Sequence, residues 1–298
     1  MISIVTAYYN RKKLFYRTLV KLSESEIKNF EVIAVDDGSS EDQRLEDLQK
    51  EFCFLKVVRI EKEDKWYVNP CIPFNLGFKK AIGDIIIIQN PECLHFGDIL
   101  DYVNKNLKKN EYISFSCYSL SKESTDNLDL ISINDAELKN HFLFNHRIVK
   151  FDGDDGWYNH TLYRPVAFHF CSAMFKEDLE DLGGFDERYA LGIAYDDTEL
   201  LYRIKQKGMK VRIVDSPIVL HQNHYSAVTR STSDDLKKKA EHENLMKRNL
   251  QFLHYVTQSK KPWRVNILNH EKEYTQSQTF REIINKVLSK LKKNYSSS

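Results

Sequence analysis

Residues 30–42, FEVIAVDDGSSED, hold an apolar run that stops abruptly on two carboxylates and a glycine. The run from Glu31 to Val35 is continuous rather than alternating, the mark of a strand covered on both faces. Three runs of the same kind flank it: Ile2 to Ala7 (ISIVTA), Leu55 to Ile60, and Asp84 to Ile88 (DIIII). Helical periodicity fills the gaps, from about Lys12 to Ser23, from Glu41 to Phe52, and from Asn75 to Ile82 with Gly83 as its stop. This alternation predicts an α/β fold with a mostly parallel, Rossmann-like sheet flanked by helices. Such sheets collect ligands beyond the carboxyl ends of their strands. Those ends carry Thr6-Ala7-Tyr8, Asp36-Asp37-Gly38-Ser39 and Gln89-Asn90-Pro91-Glu92, which places three polar segments on one rim.

Farther along, GGFDERYALGIAYDDTELLYRIKQKG spans residues 183–208. A Gly-Gly turn with Phe185 buried leads into an acidic, aromatic loop that ends on Asp196 and Asp197. Leu200, Leu201 and Ile204 recur at helical spacing, so a helix begins near Asp197. Carboxylates at a helix N-terminus lie beside the positive end of its dipole, which favours their ionised form and suits a general base or a ligand for hydroxyls. The bland alternative is a pair of capping aspartates. Between these regions, Ser119 to Tyr163 is polar and reads as a long excursion with short helices. Ala167 to Phe175, Val211 to Val214 and Ile218 to Leu220 read as strands, the last leading to His221-x-x-His224. From about Ser233 the chain is helical and charge-rich. The organisation expected is a domain over 1–225, split near residue 118, with a helical C-terminal extension over 226–298.

Composition narrows the chemistry. Of 298 residues, 42% are hydrophobic, enough for a sizeable core. Lys and Arg number 44 against 43 acidic residues, which argues against a nucleic-acid partner. Five scattered cysteines with no C-x-x-C spacing read as buried apolar residues in a reducing compartment. The start lacks a basic-then-apolar leader and no apolar run is long enough to span a bilayer, so a cytoplasmic location is expected. Phe280 to Lys293 carries an apolar stripe among lysines. It reads as a packed helix or, for a lipid-linked substrate, as a peripheral contact with the inner membrane face.

Individual residues allow two readings. Asp36 and Asp37 on a strand-end turn suit a ribose or a base N–H, or they form an ordinary Asp-Gly turn. Asp152-Gly153-Asp154 reads as a polar loop rather than a metal site. Trp157, Tyr158 and His160 beside it suit a sugar, or form a tucked-in cluster. Arg188 and Arg203 read as ion-pair partners of nearby acids. His221 and His224 are candidate metal ligands or surface histidines.

Taken in order, ISIVTAYYNR, FEVIAVDDGSSED and NLGFKKAIGDIIIIQNPE resemble the donor half of family-two glycosyltransferases of the GT-A fold. GGFDERYALGIAYDDTELLYRI resembles the acceptor half of the β-1,4-galactosyltransferase-like group. The resemblance implies that Thr6, Tyr8 and Asp37, with Asp36, Gln89 and Asn90 on the same rim, hold a UDP-sugar. It implies Asp197 as catalytic base, with Asp196, Tyr195, Trp157 and His160 at the acceptor. The family's metal acid falls where an Asp-x-Asp is usual; here Gln89, Asn90 and Glu92 stand instead, with Glu92 at the last acid's position. Glu92 with His221 or His224 would hold Mn²⁺ or Mg²⁺. The implied activity is inverting transfer of galactose or N-acetylgalactosamine to an oligosaccharide or lipid-linked glycan of a surface polysaccharide. The rival readings are a sugar nucleotidyltransferase, for which TAYYNRKK lacks the glycine-rich loop, and a non-catalytic sugar-binding module.

Overall fold

The computed structural model describes residues 1–128, 148, 153–224, 233–259 and 264–266. The four apolar runs form β1 (Ile2–Tyr8), β2 (Phe30–Asp37), β3 (Leu55–Ile60) and β4 (Ile85–Gln89), and they pair in parallel in the order β3-β2-β1-β4. Beyond β4 the sheet changes character. It continues through β8 (Cys171–Phe175), β6 (Glu111–Ser119), β9 (Lys210–His221) and β5 (Cys93–Phe96), with β7 (Gly156–Asn159) on β6. The β4–β8, β8–β6, β6–β7 and β9–β5 pairs are antiparallel, and only β6–β9 is parallel. The sheet is therefore mixed, with its first half wholly parallel and its second half mostly antiparallel. It is the GT-A fold.

Continuous apolar strands need cover on both faces, and the register supplies it. Ile2 and Ile4 of β1, with Val32 and Ala34 of β2, point into one core under α1 (Lys12–Ser23) and α3 (Ile99–Asn106). The alternate residues Val5, Ile33 and Val35 face a second core. There α2 (Cys71–Lys80), α5 (Lys176–Leu182) and α6 (Asp196–Gln206) pack, through Phe74, Phe78, Leu179 and Ile204 among others. α2 lies so near the sheet that a Cβ on Gly77 would overlap Val5. The short α4 is Lys122–Asp126, and α7 (Ser233–Gln258) inserts Phe252, Leu253 and Val256 into the second core. Each such side chain contributes roughly 1.5–3 kcal/mol when fully buried, so this helix is part of the same body.

Several local expectations are revised. Residues 41–52 form two single 3-10 turns, Glu41–Gln43 and Leu48–Lys50, instead of a helix. Tertiary bonds replace the helical ladder there: the Tyr8 hydroxyl donates to the Gln43 carbonyl, and the Lys12 amide donates to the Gln43 side chain. α2 starts earlier than its periodicity suggests, at Cys71, because Asn69 Oδ1 accepts the Cys71 amide. The two short strands read at 211–214 and 218–220 are one strand, β9. Four cysteines are buried, whereas Cys53 is exposed. The 280–293 stripe lies outside the described residues. No described helix is long and apolar enough to cross a membrane.

Candidate active site

Parity along β1 decides which rim side chains are available. Side chains alternate across a strand, and both Thr6 and Tyr8 turn inward, Tyr8 fully buried with its hydroxyl accepting the Arg11 amide. Their side chains are buried, Thr6 1% and Tyr8 0% exposed. The aromatic left at the rim is Tyr9, 49% exposed, with Lys65 Nζ 5.0 Å from its ring centre. On β2 the parity works similarly. Asp36 is buried, accepts the Ser39 amide and pairs with Arg59 at 3.1 Å, so it builds the turn. Asp37 is the rim carboxylate, held by Lys65 Nζ at 2.8 Å and the Tyr67 hydroxyl at 2.6 Å. Burial pushes its carboxyl up, against the pull of Lys65 and Tyr67.

The second part of the site is made by strand register. Asn90 turns the chain, accepting the Cys93 amide, so that Glu92 precedes β5 directly. β5 pairs with β9 so that Cys93 lies opposite His221, and the Gln222 amide donates to the Glu92 carbonyl. Glu92 and His221, distant in sequence, meet for that reason. Glu92 Oε1 lies 3.2 Å from His221 Nε2 and 3.4 Å from His224 Nε2, while Oε2 pairs with Arg11 at 2.8 Å. Glu92 is 1% exposed. Burial alone would raise its carboxyl, but Arg11 and the two imidazoles outweigh it and hold it well below the usual carboxylate range. Asn223 fixes the intervening turn, its amide donating to Thr125 and its side chain to the Gly153 carbonyl.

Among the described residues these three form one potential metal-binding group, with ligand atoms within 4.8 Å of one another. Ligands about 2.1 Å from an ion at right angles sit about 3 Å apart, so the observed separations fit a divalent cation. Two imidazoles and one carboxylate suit Mn²⁺ better than a calcium-like oxygen cage. Gln89 stands behind this cluster: its side chain accepts from His95 at 2.8 Å, if that ring carries its proton on Nε2, and donates to the Cys93 carbonyl. It therefore braces the Glu92 loop from inside.

The third part is the Asp196–Asp197 pair. Ala194 and Tyr195 both adopt left-handed backbone, with φ of 60° and 66°. That conformation costs non-glycine residues roughly 1–2 kcal/mol each, and strain of this kind concentrates at functional sites. Asn249 of α7 offsets it, donating to the Tyr189 and Ala194 carbonyls. The two carboxylates differ in setting. Asp197 is half-buried and accepts the Thr198 amide, whereas Asp196 is 5% exposed and accepts from Asn69 Nδ2 at 3.0 Å. Burial first, and then the Asp197 charge, push Asp196 up to about 7. This corrects the expectation that the helix dipole keeps both ionised: a dipole effect of about 0.3–1 kcal/mol is outweighed by desolvation. The buried pair Glu199–Arg203 stiffens the same helix, and Arg188 pairs with Asp186 at 2.6 Å, as expected for both arginines.

Two adjacent residues join the parts. The Phe170 carbonyl accepts the Asn90 amide and its ring packs edge-on against His221. His169 packs on Phe74 and Phe185; burial lowers its imidazole, while the Asp197 charge acts in the opposite sense. Neighbouring residues of one segment thus touch the metal group and lie within electrostatic reach of Asp197. Trp157 is in a separate core cluster, edge-on to Tyr118, and His160 packs between Trp157 and Tyr163 while facing Asp215 at 3.8 Å. That arrangement fits the tucked-in cluster. Asp155 accepts the Ser121 amide beside α4, as a loop residue does; Asp152 lies outside the described residues. Sequence reading passed over Tyr9, Arg11, Lys65, Tyr67, Asn69 and His169. Only Asn69 carried a local sign, an Asn-Pro step before a helix.

The family model described as Glycosyl transferase family 2 matches residues 3–183. The chain belongs to glycosyl transferase family 2. The match includes Asp37 and Glu92 and stops before Asp196 and His221, which rest on the geometry above. Among this family's curated relatives, an uncharacterized glycosyltransferase of Rickettsia bellii is 31% identical over 228 residues, covering 76% of this chain and 31% of its own. The chondroitin synthase of Escherichia coli is 28% identical over 247 residues, covering 74% of this chain and 34% of its own. The chain spans about a third of the length of these two relatives. Residues 1–349 of Staphylococcus aureus TarS share the fold, with a TM-score of 0.51 at 14% identity, covering 74% of this chain and 60% of that one.

Proposed function

We propose that this protein is an inverting, UDP-sugar-dependent glycosyltransferase that moves galactose or N-acetylgalactosamine to a hydroxyl of a glycan acceptor. The observation that carries the reading is the Glu92–His221–His224 group joined through His169 and Phe170 to the Asp196–Asp197 pair, on a sheet of this family. Asp37 and Tyr9 face the nucleoside. Asp197 takes the proton of the acceptor hydroxyl as its oxygen attacks the anomeric carbon. The bond from that carbon to the diphosphate oxygen breaks on the opposite face, and UDP leaves with the electron pair. Alignment of the two substrates supplies much of the acceleration. A divalent cation held by Glu92, His221 and His224 would offset charge on the leaving diphosphate. Arg11, fixed by Glu92, adds a positive charge beside it. Asp196 would hold neighbouring acceptor hydroxyls. The sugar, and a role in surface polysaccharide synthesis at the cytoplasmic face of a membrane, rest on the sequence resemblance.

The test is UDP release from a panel of UDP-sugars, with and without Mn²⁺, for wild type and Asp197→Asn. Metal-dependent release with one sugar, lost in Asp197→Asn while UDP binding persists, is expected. Binding without release on any glycan acceptor would favour the binding-module reading.

A further inference from the structure

Asn69 is 1% exposed, and its amide N–H, Oδ1 and Nδ2 are all hydrogen-bonded. Its amide donates to the Ala190 carbonyl at 3.1 Å, its Oδ1 accepts the Cys71 amide at 2.9 Å, and its Nδ2 donates to Asp196 Oδ1 at 3.0 Å. It ends a short strap whose other end is the nucleotide rim: Lys65 and Tyr67 hold Asp37, and the Val68 amide donates to the same Ala190 carbonyl at 2.9 Å. The strap therefore spans from the donor-side carboxylate to the acceptor-side carboxylate. A helix start needs only the Oδ1 contact. The Nδ2 contact has a different consequence, because it is a neutral donor aimed at a buried carboxylate.

We propose that Asn69 is a positioning residue that fixes Asp196 beside Asp197 and favours its ionised form. The proposal extends the reading of Asp196 and Asp197 as the reacting pair and rests on it for its catalytic meaning. Burial and Asp197 push Asp196 up, and Asn69 opposes them. Among the described residues, the charged groups that act most on Asp196 are acidic. Asp197 and Glu199 lie on its own helix, and Glu199 is committed to Arg203. Across the interface the Cys71 thiol is driven well above its ordinary range by burial and then by Asp196, with Glu187 and Asp186 adding to it. In this acidic setting the Asn69 amide is the larger of two donors, with Asp196's own backbone N–H, that favour the ionised form of Asp196.

Asn69→Ser separates the two roles, because a serine oxygen can still accept the Cys71 amide but no longer reaches Asp196 as an amide donor. Asn69→Asp also keeps the cap and places a like charge against Asp196. Thermal melting at pH 5 and pH 8.5 reads the contact without reference to activity. A bond to an ionised carboxylate is expected to lower the melting temperature of Asn69→Ser by about 2–5 °C at pH 8.5 and far less at pH 5. Asn69→Asp should show the larger loss at pH 8.5. Equal losses at both pH values would overturn the proposal, leaving only the cap. With the UDP-sugar that wild type cleaves, Asn69→Ser should lose about 10- to 100-fold in kcat, keep its donor KM, and move the acid limb of its pH profile upward. An unchanged kcat and acid limb would also overturn it. If the melting difference depends on pH while Asp197→Asn transfers like wild type, the base assignment fails and the Asn69–Asp196 contact stands.

Discussion

Replacing Asp196 with asparagine should stabilise the protein in alkaline buffer and do so much less in acid. The Asp196 carboxyl moves from 3.8 to about 7 on folding, roughly three units, and at 1.36 kcal/mol each this sets an upper bound of about 4 kcal/mol. Between about pH 4 and pH 7 the folded protein holds a proton there that the unfolded chain releases. Stability therefore falls as pH rises through that window, and the cost is complete above it. Asparagine has no charge to desolvate, keeps the shape, and still accepts from Asn69. Urea unfolding of wild type and Asp196→Asn at pH 5 and pH 8.5 measures the effect. The variant should gain up to about 4 kcal/mol at pH 8.5 and no more than about 1.7 kcal/mol at pH 5. A gain that is the same at both pH values, or a loss at pH 8.5, would refute the argument that burial determines this carboxyl. Acceptor-dependent transfer should fall in the same variant, because the neutral amide binds hydroxyls more weakly than a carboxylate.

Glu92→Gln should weaken Mn²⁺ binding by at least about tenfold in calorimetric titration, and comparable affinity would remove Glu92 from the ligand set. Arg203→Met leaves Glu199 buried without its partner and should cost about 3–5 kcal/mol in urea unfolding, with Glu199→Leu in the same chain recovering most of it. Gly192→Ala places a Cβ on the Asn249 amide, so Asn249 must release the Tyr189 and Ala194 carbonyls. A loss of about 1–3 kcal/mol is expected, with added Asn249→Ala giving much less than the sum of the two single losses.

Apolar periodicity made the first half of the sheet readable, because β1 to β4 are continuous Val/Ile runs whose pattern is local. The site's loops were readable for the same reason: each follows an apolar strand, so Asp37, Glu92 and His221 stood out as polar residues at strand ends. The burial of Thr6 and Tyr8 was not legible, since a continuous run gives no sign of which face a strand-end side chain takes. The 41–52 segment has helical spacing in Leu45, Leu48 and Phe52, all buried, yet the bonds to Gln43 from β1 and α1 take precedence over the helix.

Side-chain pattern over a few residues suffices for the four parallel strands, β8, β9, the helices Lys12–Ser23, Cys71–Lys80 and Asp196–Gln206, and the polar residues at the rim, whereas β5, β6 and β7 carry no such local mark. Tertiary structure decided how they combine. Pairing of β5 with β9 brings Glu92 to His221, the strap through Asn69 brings the donor half to Asp196, and burial pushes the Asp196 carboxyl up. Register, long-range contact and desolvation are properties of the packed chain, and no local pattern encodes them.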